Sequence, residues 1–225
     1  LLPMVFAVPY DFRYGQTQGS MRDWQSFGAW QRKLLEGRDA LPDALRREVH
    51  TLTDTLATPR EKVRALYDYL GATTRYVSIQ LGIGGLQPMP AAEVFRTKFG
   101  DCKALANYLR ALLAECGIDS DYAIIHLDRP RMFRDFASAN QANHAILRVP
   151  LAADTLWLEC TNTEIPFGYI HEDIAGHDAI LITREGGVFT TLPRYADSLN
   201  RMVRHVELDV APDGSVAGHV TERYE

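Results

Sequence analysis

At 225 residues and 46% hydrophobic, the chain can bury a full core and suits one domain of moderate size plus appendages. The net charge of −5 comes from interspersed acids and bases, with no basic run carrying interleaved aromatics, which argues against nucleic acid as a partner. Three widely spaced cysteines form no C-x-x-C pair and exclude a disulfide framework.

The opening apolar run, Leu1 to Val8, is broken by Pro3 and is too short to span a bilayer. It also lacks the charged head and cleavage region of a signal peptide. Because the chain begins without Met, the expectation is a piece of a longer protein. Residues 1–20 read as an extended lead-in with no helical period. A helix then starts at Ser20 or Asp23 and carries Trp24, Phe27, Trp30 and Leu34 as one apolar stripe, read as packing onto the main domain. A second helix is expected from about Asp43 to Leu56. Thr58-Pro59-Arg60-Glu61 holds the pieces of a capping box and opens a third, with Val63, Leu66, Tyr67 and Leu70 on its buried face.

Tyr76 to Ile79 reads as a short strand. The loop from Gly82 to Pro90 has neither the Walker spacing nor a complete dinucleotide fingerprint, so it is read as a wall of a cleft. Gln80 and Gln87 are the candidate side-chain donors to an oxyanion there. Gln87 is preferred, since Pro88 and Pro90 would hold its loop rigid.

Gly100-Asp101-Cys102-Lys103 opens the helix around which the chain is organised. Leu105, Leu109, Leu112 and Leu113 follow Cys102 at offsets of one helical stripe, Asp101 is a natural N-cap, and Gly117 a natural stop. A thiol in the first turn lies beside unpaired backbone N–H groups and the positive end of the helix dipole. Both favour thiolate over thiol, and the same N–H groups can hold an oxyanion. Cys102 and Cys116 sit about 21 Å apart on this helix at 1.5 Å per residue, so they cannot share a metal or a disulfide. Cys116 and Cys160 read as core residues.

Tyr122 to Leu127 is apolar and β-prone, interrupted by His126, which reads as a partnered strand histidine. Residues 128–142 are polar and irregular and read as a mobile flap over the site. Asn143 to Val149 alternates like a strand with His144 near its start. Leu156 to Thr161 is the next strand, with Trp157 and Glu159 on one face and Leu158 and Cys160 on the other. An antiparallel pairing of the two could bring Glu159 beside His144. Cys102, His144 and Glu159, in that order, are what nucleophilic cysteine catalysis needs: a thiol, a base for its proton, and a group that fixes the ring. Residues 179–183 and 188–192 read as a hairpin around Glu185-Gly186-Gly187. From Arg204 strict alternation, a Pro212-Asp213-Gly214 turn and a returning strand read as the first hairpin of a second β domain. No Gly-x-Ser-x-Gly elbow, zinc-ligand set or EF-hand loop is present, so no metal or cofactor is expected.

The run Gly-Asp-Cys-Lys with its Leu/Ala helix, then Asn-His-Ala-Ile, then Leu-Glu-Cys-Thr resembles the transglutaminase-like superfamily of papain-type folds. More narrowly, it is similar to bacterial transglutaminase-like domains set between two β-rich domains of unknown function in large secreted or envelope proteins. Arg75-Tyr76-Val77, Leu81 through Pro88, and Ile165-Pro166-Phe167-Gly168 match that subgroup too. The resemblance covers about residues 58–193, with 1–57 as N-terminal lead-in and helices and 194–225 as the start of a C-terminal β domain. It implies an α+β papain-like domain, with a central Cys-bearing helix packed on an antiparallel sheet. It further implies Cys102 as nucleophile, His144 as base, and Glu159 where the family usually has Asp. Ala104 stands where relatives often carry an acid. The activity implied is acyl transfer through a thioester at an amide or peptide bond of a peptide or protein substrate. Hydrolysis is favoured over amine crosslinking, because no acidic groove for an amine is legible. The rival is an inactive binding scaffold in the bacterial envelope. A periplasmic or envelope location and flanking β-rich domains of the same chain complete the expectation.

Overall fold

The computed structural model describes residues 5–196 and 201–224, so Leu1 and Pro3 of the apolar opening lie outside the described residues. Residues up to Leu192 form one compact unit, and Pro193 onward forms a second. The first unit includes both N-terminal helices, and the Trp24–Leu34 stripe packs into its core as its spacing suggests.

The first unit begins with a hairpin, β1 (Asp11–Tyr14) and β2 (Thr17–Ser20), turned at Gly15 with φ 58°. The sequence suggested only an extended lead-in here, because four-residue, mostly exposed strands carry little hydrophobic alternation to reveal them. Helix α1 (Trp24–Leu35) is capped by Asp23, whose carboxylate accepts the Ser26 backbone N–H at 2.6 Å. Trp24, Phe27, Trp30 and Leu34 are all buried. Gly28 faces the backbone of Gly187 so closely that a Cβ there would collide with it.

Helix α2 (Asp43–Thr53) is followed by α3 (Pro59–Thr73), where the full capping box forms between Thr58 and Glu61. Strand β3 (Arg75–Tyr76) is shorter than expected and pairs in parallel with β4 (Phe99–Gly100). Between them lie a short 3₁₀ turn, Gly82–Gly85, and the helix α4 (Ala91–Thr97). Lys98, at φ 59°, ends α4 in the left-handed region.

Helix α5 (Cys102–Glu115) is stopped at Gly117, which adopts φ 68°. Its burial is not confined to the leucine stripe: Ala104, Ala106, Asn107, Tyr108 and Ala111 are buried as well. The reason is that α2, α3 and α4 pack around it while the sheet covers its other side.

That sheet has five antiparallel strands in the order β7-β6-β5-β8-β9. Its members are β5 (Asp121–Ile125), β6 (His144–Pro150), β7 (Thr155–Leu158), β8 (Asp178–Thr183) and β9 (Gly186–Thr191). Tyr122, Ile124, Ala145, Leu147, Leu158, Cys160, Ile180 and Ile182 join the helices in one apolar cluster. Residues of opposite parity, Ala123, Ile125, Ile146, Trp157 and Leu181, are buried outside that cluster, so both faces are covered. The architecture is α+β, with the Cys-bearing helix packed on the antiparallel sheet at its centre.

The second unit contains one long hairpin, β10 (Met202–Val210) paired with β11 (Val216–Tyr224). Its turn is closed by Asp213, which accepts hydrogen bonds from Ser215 N–H at 2.9 Å and Ser215 O–H at 2.7 Å. Asp197 to Asn200, at the approach to it, lie outside the described residues.

Candidate active site

Cys102 is the first residue of α5 and is 4% exposed. Asp101 caps the helix by accepting the Ala104 backbone N–H at 3.0 Å, and its other oxygen receives the Lys103 ammonium at 2.5 Å. Asp101 and Lys103 are both buried, so the ion pair neutralises charge that would otherwise be stranded beside the thiol.

His144 opens β6, paired with Ile125 at the end of β5. Asn143 fixes this corner: its backbone N–H donates to Ile125 O at 2.9 Å, and its side-chain oxygen accepts the Leu127 N–H at 2.9 Å. The imidazole Nε2 lies 2.8 Å from Glu159 Oε2, with both side chains buried. The ring lines the same cavity as Cys102, and the thiol is among the groups that raise it. With Nε2 committed to Glu159, Nδ1 is the nitrogen left for the thiol.

Register explains the reach of Glu159. Strand β7 pairs Leu158 with Leu147, so the next step along puts Glu159 opposite Ile146, two residues from His144 on the same face. The carboxylate therefore crosses a diagonal, which suits the longer side chain of Glu. Its second oxygen, Oε1, accepts the Thr161 backbone N–H at 2.8 Å and the Thr161 hydroxyl at 2.6 Å. Thr161 is the positioning group that sequence reading passed over. Its signal was a hydroxyl two residues after the acid.

The titration of the pair follows from this geometry. Burial alone would disfavour a charged imidazole, but the neighbouring Cys102 and the hydrogen bond and charge of Glu159 outweigh it, lifting His144 to about 9. For Glu159, burial opposes ionisation and is likewise overcome, by the hydrogen bond and charge of His144 and by both Thr161 donors, so it stays below its ordinary value. An ionised Glu159 is acceptor only, so His144 Nε2–H donates to it.

The thiol lines a cavity of about 530 Å³ with His144, Lys103, Gln80, Phe27, Leu86 and Tyr122. Gln87 is not in its lining. Its side-chain oxygen accepts from Arg38 at 2.8 Å, and it borders a neighbouring cavity with Asp101 and Ala104. Of the two glutamines considered as oxyanion donors, the structure brings Gln80 to the thiol's cavity. The stretch 128–142 contributes Ala139, Asn140 and Ala142 to the wall. Two hydrogen bonds anchor it: Phe133 O accepts the Trp24 indole N–H at 3.0 Å, and Met132 N–H donates to Asp178 at 3.1 Å. His126 lies just past β5, and its Nδ1 accepts the backbone N–H groups of Asp128 and Arg129.

A second cavity opens on the Glu159 side of the imidazole, lined by His144, Glu159, Thr161, Asp128, His171 and Asp173 among others. His144 thus forms the partition between two spaces. Cys160 is buried on the helix side of the sheet, where burial pushes its thiol well up, and Cys116 lies 3.4 Å from the Thr53 hydroxyl at the far end of α5. Among the described residues, no group of three or more His, Cys, Asp or Glu side chains could hold a metal ion. No helix among them is long and apolar enough to cross a membrane.

Two solved structures align with most of this chain. A candidate protease from Parabacteroides distasonis aligns with TM-score 0.61 and 13% identity, over 86% of this chain and 37% of that one. A candidate cysteine protease from Cytophaga hutchinsonii aligns with TM-score 0.42 and 16% identity, over 86% of this chain and 55% of that one. The chain spans roughly a third to just over half the length of these structures, and the first likeness is one of fold. No curated protein matches. The sequence profile of the transglutaminase-like superfamily matches residues 46–161, just over half the chain, which encloses Cys102, His144 and Glu159; the chain belongs to the transglutaminase-like superfamily.

Proposed function

We propose that the protein catalyses acyl transfer at amide or peptide bonds through a thioester on Cys102, with water as the favoured acceptor. Family membership supports a cysteine-dependent enzyme in general. The observation that carries the finer reading is the buried His144–Glu159 hydrogen bond at 2.8 Å, with the imidazole lining one cavity together with Cys102 at the start of α5. In this reading Cys102 Sγ attacks the carbonyl while its proton passes to His144, and the oxyanion forms beside the N-terminal N–H groups of α5. His144 then protonates the leaving amine, and afterwards takes a proton from the incoming water. Glu159 holds the ring and stabilises its charged form. No step calls for a cofactor.

One observation favours a competing acceptor. Asp128 and Asp173 stand with Glu159 around the cavity on the far side of His144, an acidic setting that suits an amine. The rival of an inactive scaffold leaves the intact chain of three groups without a use. We place the protein in the periplasm or envelope, with further β-rich domains flanking this segment, on the resemblance of its motifs alone.

The test is mass spectrometry of products from a peptide library, with and without an added primary amine, for wild type and Cys102→Ala. Cleaved or deamidated products that need Cys102 support hydrolysis, and amine adducts support transfer. Identical product sets for wild type and Cys102→Ala would leave the scaffold as the better reading.

A further inference from the structure

Residues 128–142 leave the sheet just past β5 and return to it beside His144, giving Ala139, Asn140 and Ala142 to the wall of the thiol's cavity on the way. The base of this segment is folded around one imidazole. His126 Nδ1 accepts the backbone N–H groups of both Asp128 and Arg129, each at 3.1 Å. A ring nitrogen that accepts two N–H donors carries no proton of its own, so this turn requires a neutral His126 protonated at Nε2. The ring is 8% exposed, and the backbone of the same residue is fixed by His177, next to β8, whose Nδ1–H donates to His126 O at 2.8 Å.

A proton on Nδ1 would turn the acceptor into a donor. Both backbone bonds are then lost, and two N–H groups face a third. The new donor has a partner within reach, because Asp128 Oδ2 stands 3.9 Å from Nδ1. That oxygen now accepts from Asn143 Nδ2 at 3.4 Å, and Asn143 is the residue that sets the corner before His144. Swinging Asp128 to an imidazolium would therefore break the turn and draw the carboxylate away from Asn143. Burial, the Arg129 cation and His177 hold His126 below 6.5 against the opposing pull of Asp128. The turn is accordingly intact above 6.5 and weakens as pH falls below it.

We propose that His126 is a pH-sensitive latch: its neutral imidazole holds the base of residues 128–142 and the Asn143 corner beside His144, and its protonation releases both. The charge change is local, and the two arrangements differ in which group Nδ1 and the Asp128 carboxylate each bind. The latch does not depend on what Cys102 does.

The experiment is a 15N NMR titration of the full chain from about pH 8 to about pH 4.5, a range that spans ordinary histidine titration. In wild type, the backbone amide signals of Asp128 and Arg129 and the side-chain amide of Asn143 should move with the His126 ring, at one midpoint below 6.5. Hydrogen exchange at Asp128 and Arg129, corrected for its intrinsic pH dependence, should speed up about tenfold or more across that midpoint as the two bonds are lost. His126→Asn puts an oxygen that does not titrate where Nδ1 stood. It should keep slow exchange at both ends of the range and lose the shared transition. His126→Ala should exchange fast throughout. Any of the three amide signals staying still while the His126 ring titrates would overturn the proposal. So would a ring still neutral at the acid end, or the same transition persisting in His126→Asn, which would assign it to another group.

Discussion

His144 Nε2 lies 2.8 Å from Glu159 Oε2, across a diagonal of the β6–β7 pair rather than straight across it. The bond depends on side-chain length as well as charge. Glu159→Gln keeps the length but removes the charge and offers His144 the wrong hydrogen-bonding partner for half its rotamers. We expect turnover to fall on the order of 10²- to 10⁴-fold with the fold intact. Glu159→Asp should retain more activity than Glu159→Gln, because it keeps the charge at shortened reach. Steady-state kinetics on any substrate found in the library settles the order. Equal turnover of wild type and Glu159→Gln would remove Glu159 from the chemistry.

Thr161 donates two hydrogen bonds to Glu159 Oε1, one from its hydroxyl and one from its backbone. Thr161→Val removes only the first and keeps the shape. Loss of a hydrogen bond to a charged group is worth about 1.5–3 kcal/mol, so turnover should drop roughly tenfold or more if that bond orients the carboxylate. Thr161→Ser should restore most of it. A Thr161→Val enzyme as active as wild type would show that the backbone N–H alone suffices.

Three free thiols allow a test of reactivity against exposure. Cys102 and Cys160 are buried, whereas Cys116 is partly exposed. If access governed the reaction, brief iodoacetamide treatment near neutral pH would label Cys116 first. We expect Cys102 to label first, because only it has an imidazole to take its proton. His144→Ala should abolish that preference. Peptide mapping reads the outcome, and first labelling at Cys116 in wild type would count against Cys102.

The coupled pair also sets a pH window for stability. His144 is raised from 6.5 to about 9, so its contribution is full below about 6.5 and fades as pH rises through about 9. Glu159 is depressed below 4.5, so its contribution is full above that value and is lost as pH falls through the depressed one. The melting-temperature gap between wild type and Glu159→Gln should therefore be widest between about pH 5 and 6.5 and should close above about pH 9. Thermal melts from pH 3 to 10 check this. A gap that widens toward alkaline pH would contradict the assigned charges.

Much of this protein was legible locally. Asp101 before Cys102 and Gly117 after Cys116 mark the ends of α5, and Thr58, Pro59 and Glu61 mark the start of α3, because caps are built from neighbours in the chain. Alternation placed Leu158 and Cys160 on one face and Trp157 on the other, since strand faces follow a period of two, and the structure turns the first pair toward the helices. Helix α4 was missed because seven residues hold too little periodicity, and β1 and β2 because their strands are short and mostly exposed.

What only the tertiary structure decided are relations between distant residues. Strand β5 pairs with β8 across more than fifty residues of chain, and Gly28 admits α1 against Gly187; neither leaves a local mark. Alternation could say that Glu159 shares a face with Trp157, but the register had to say that it meets His144 on a diagonal. The flanking prolines favoured Gln87 over Gln80, but the path of the loop took Gln87 to Arg38 and left Gln80 in the thiol's cavity. Thr161 was an ordinary residue at a strand's end until its bonds to Glu159 could be seen. Sequence fixes which groups a segment carries and which face they share, because backbone geometry is local. Which groups meet is decided by how the segments pack, because hydrogen bonding and burial act across space and not along the chain.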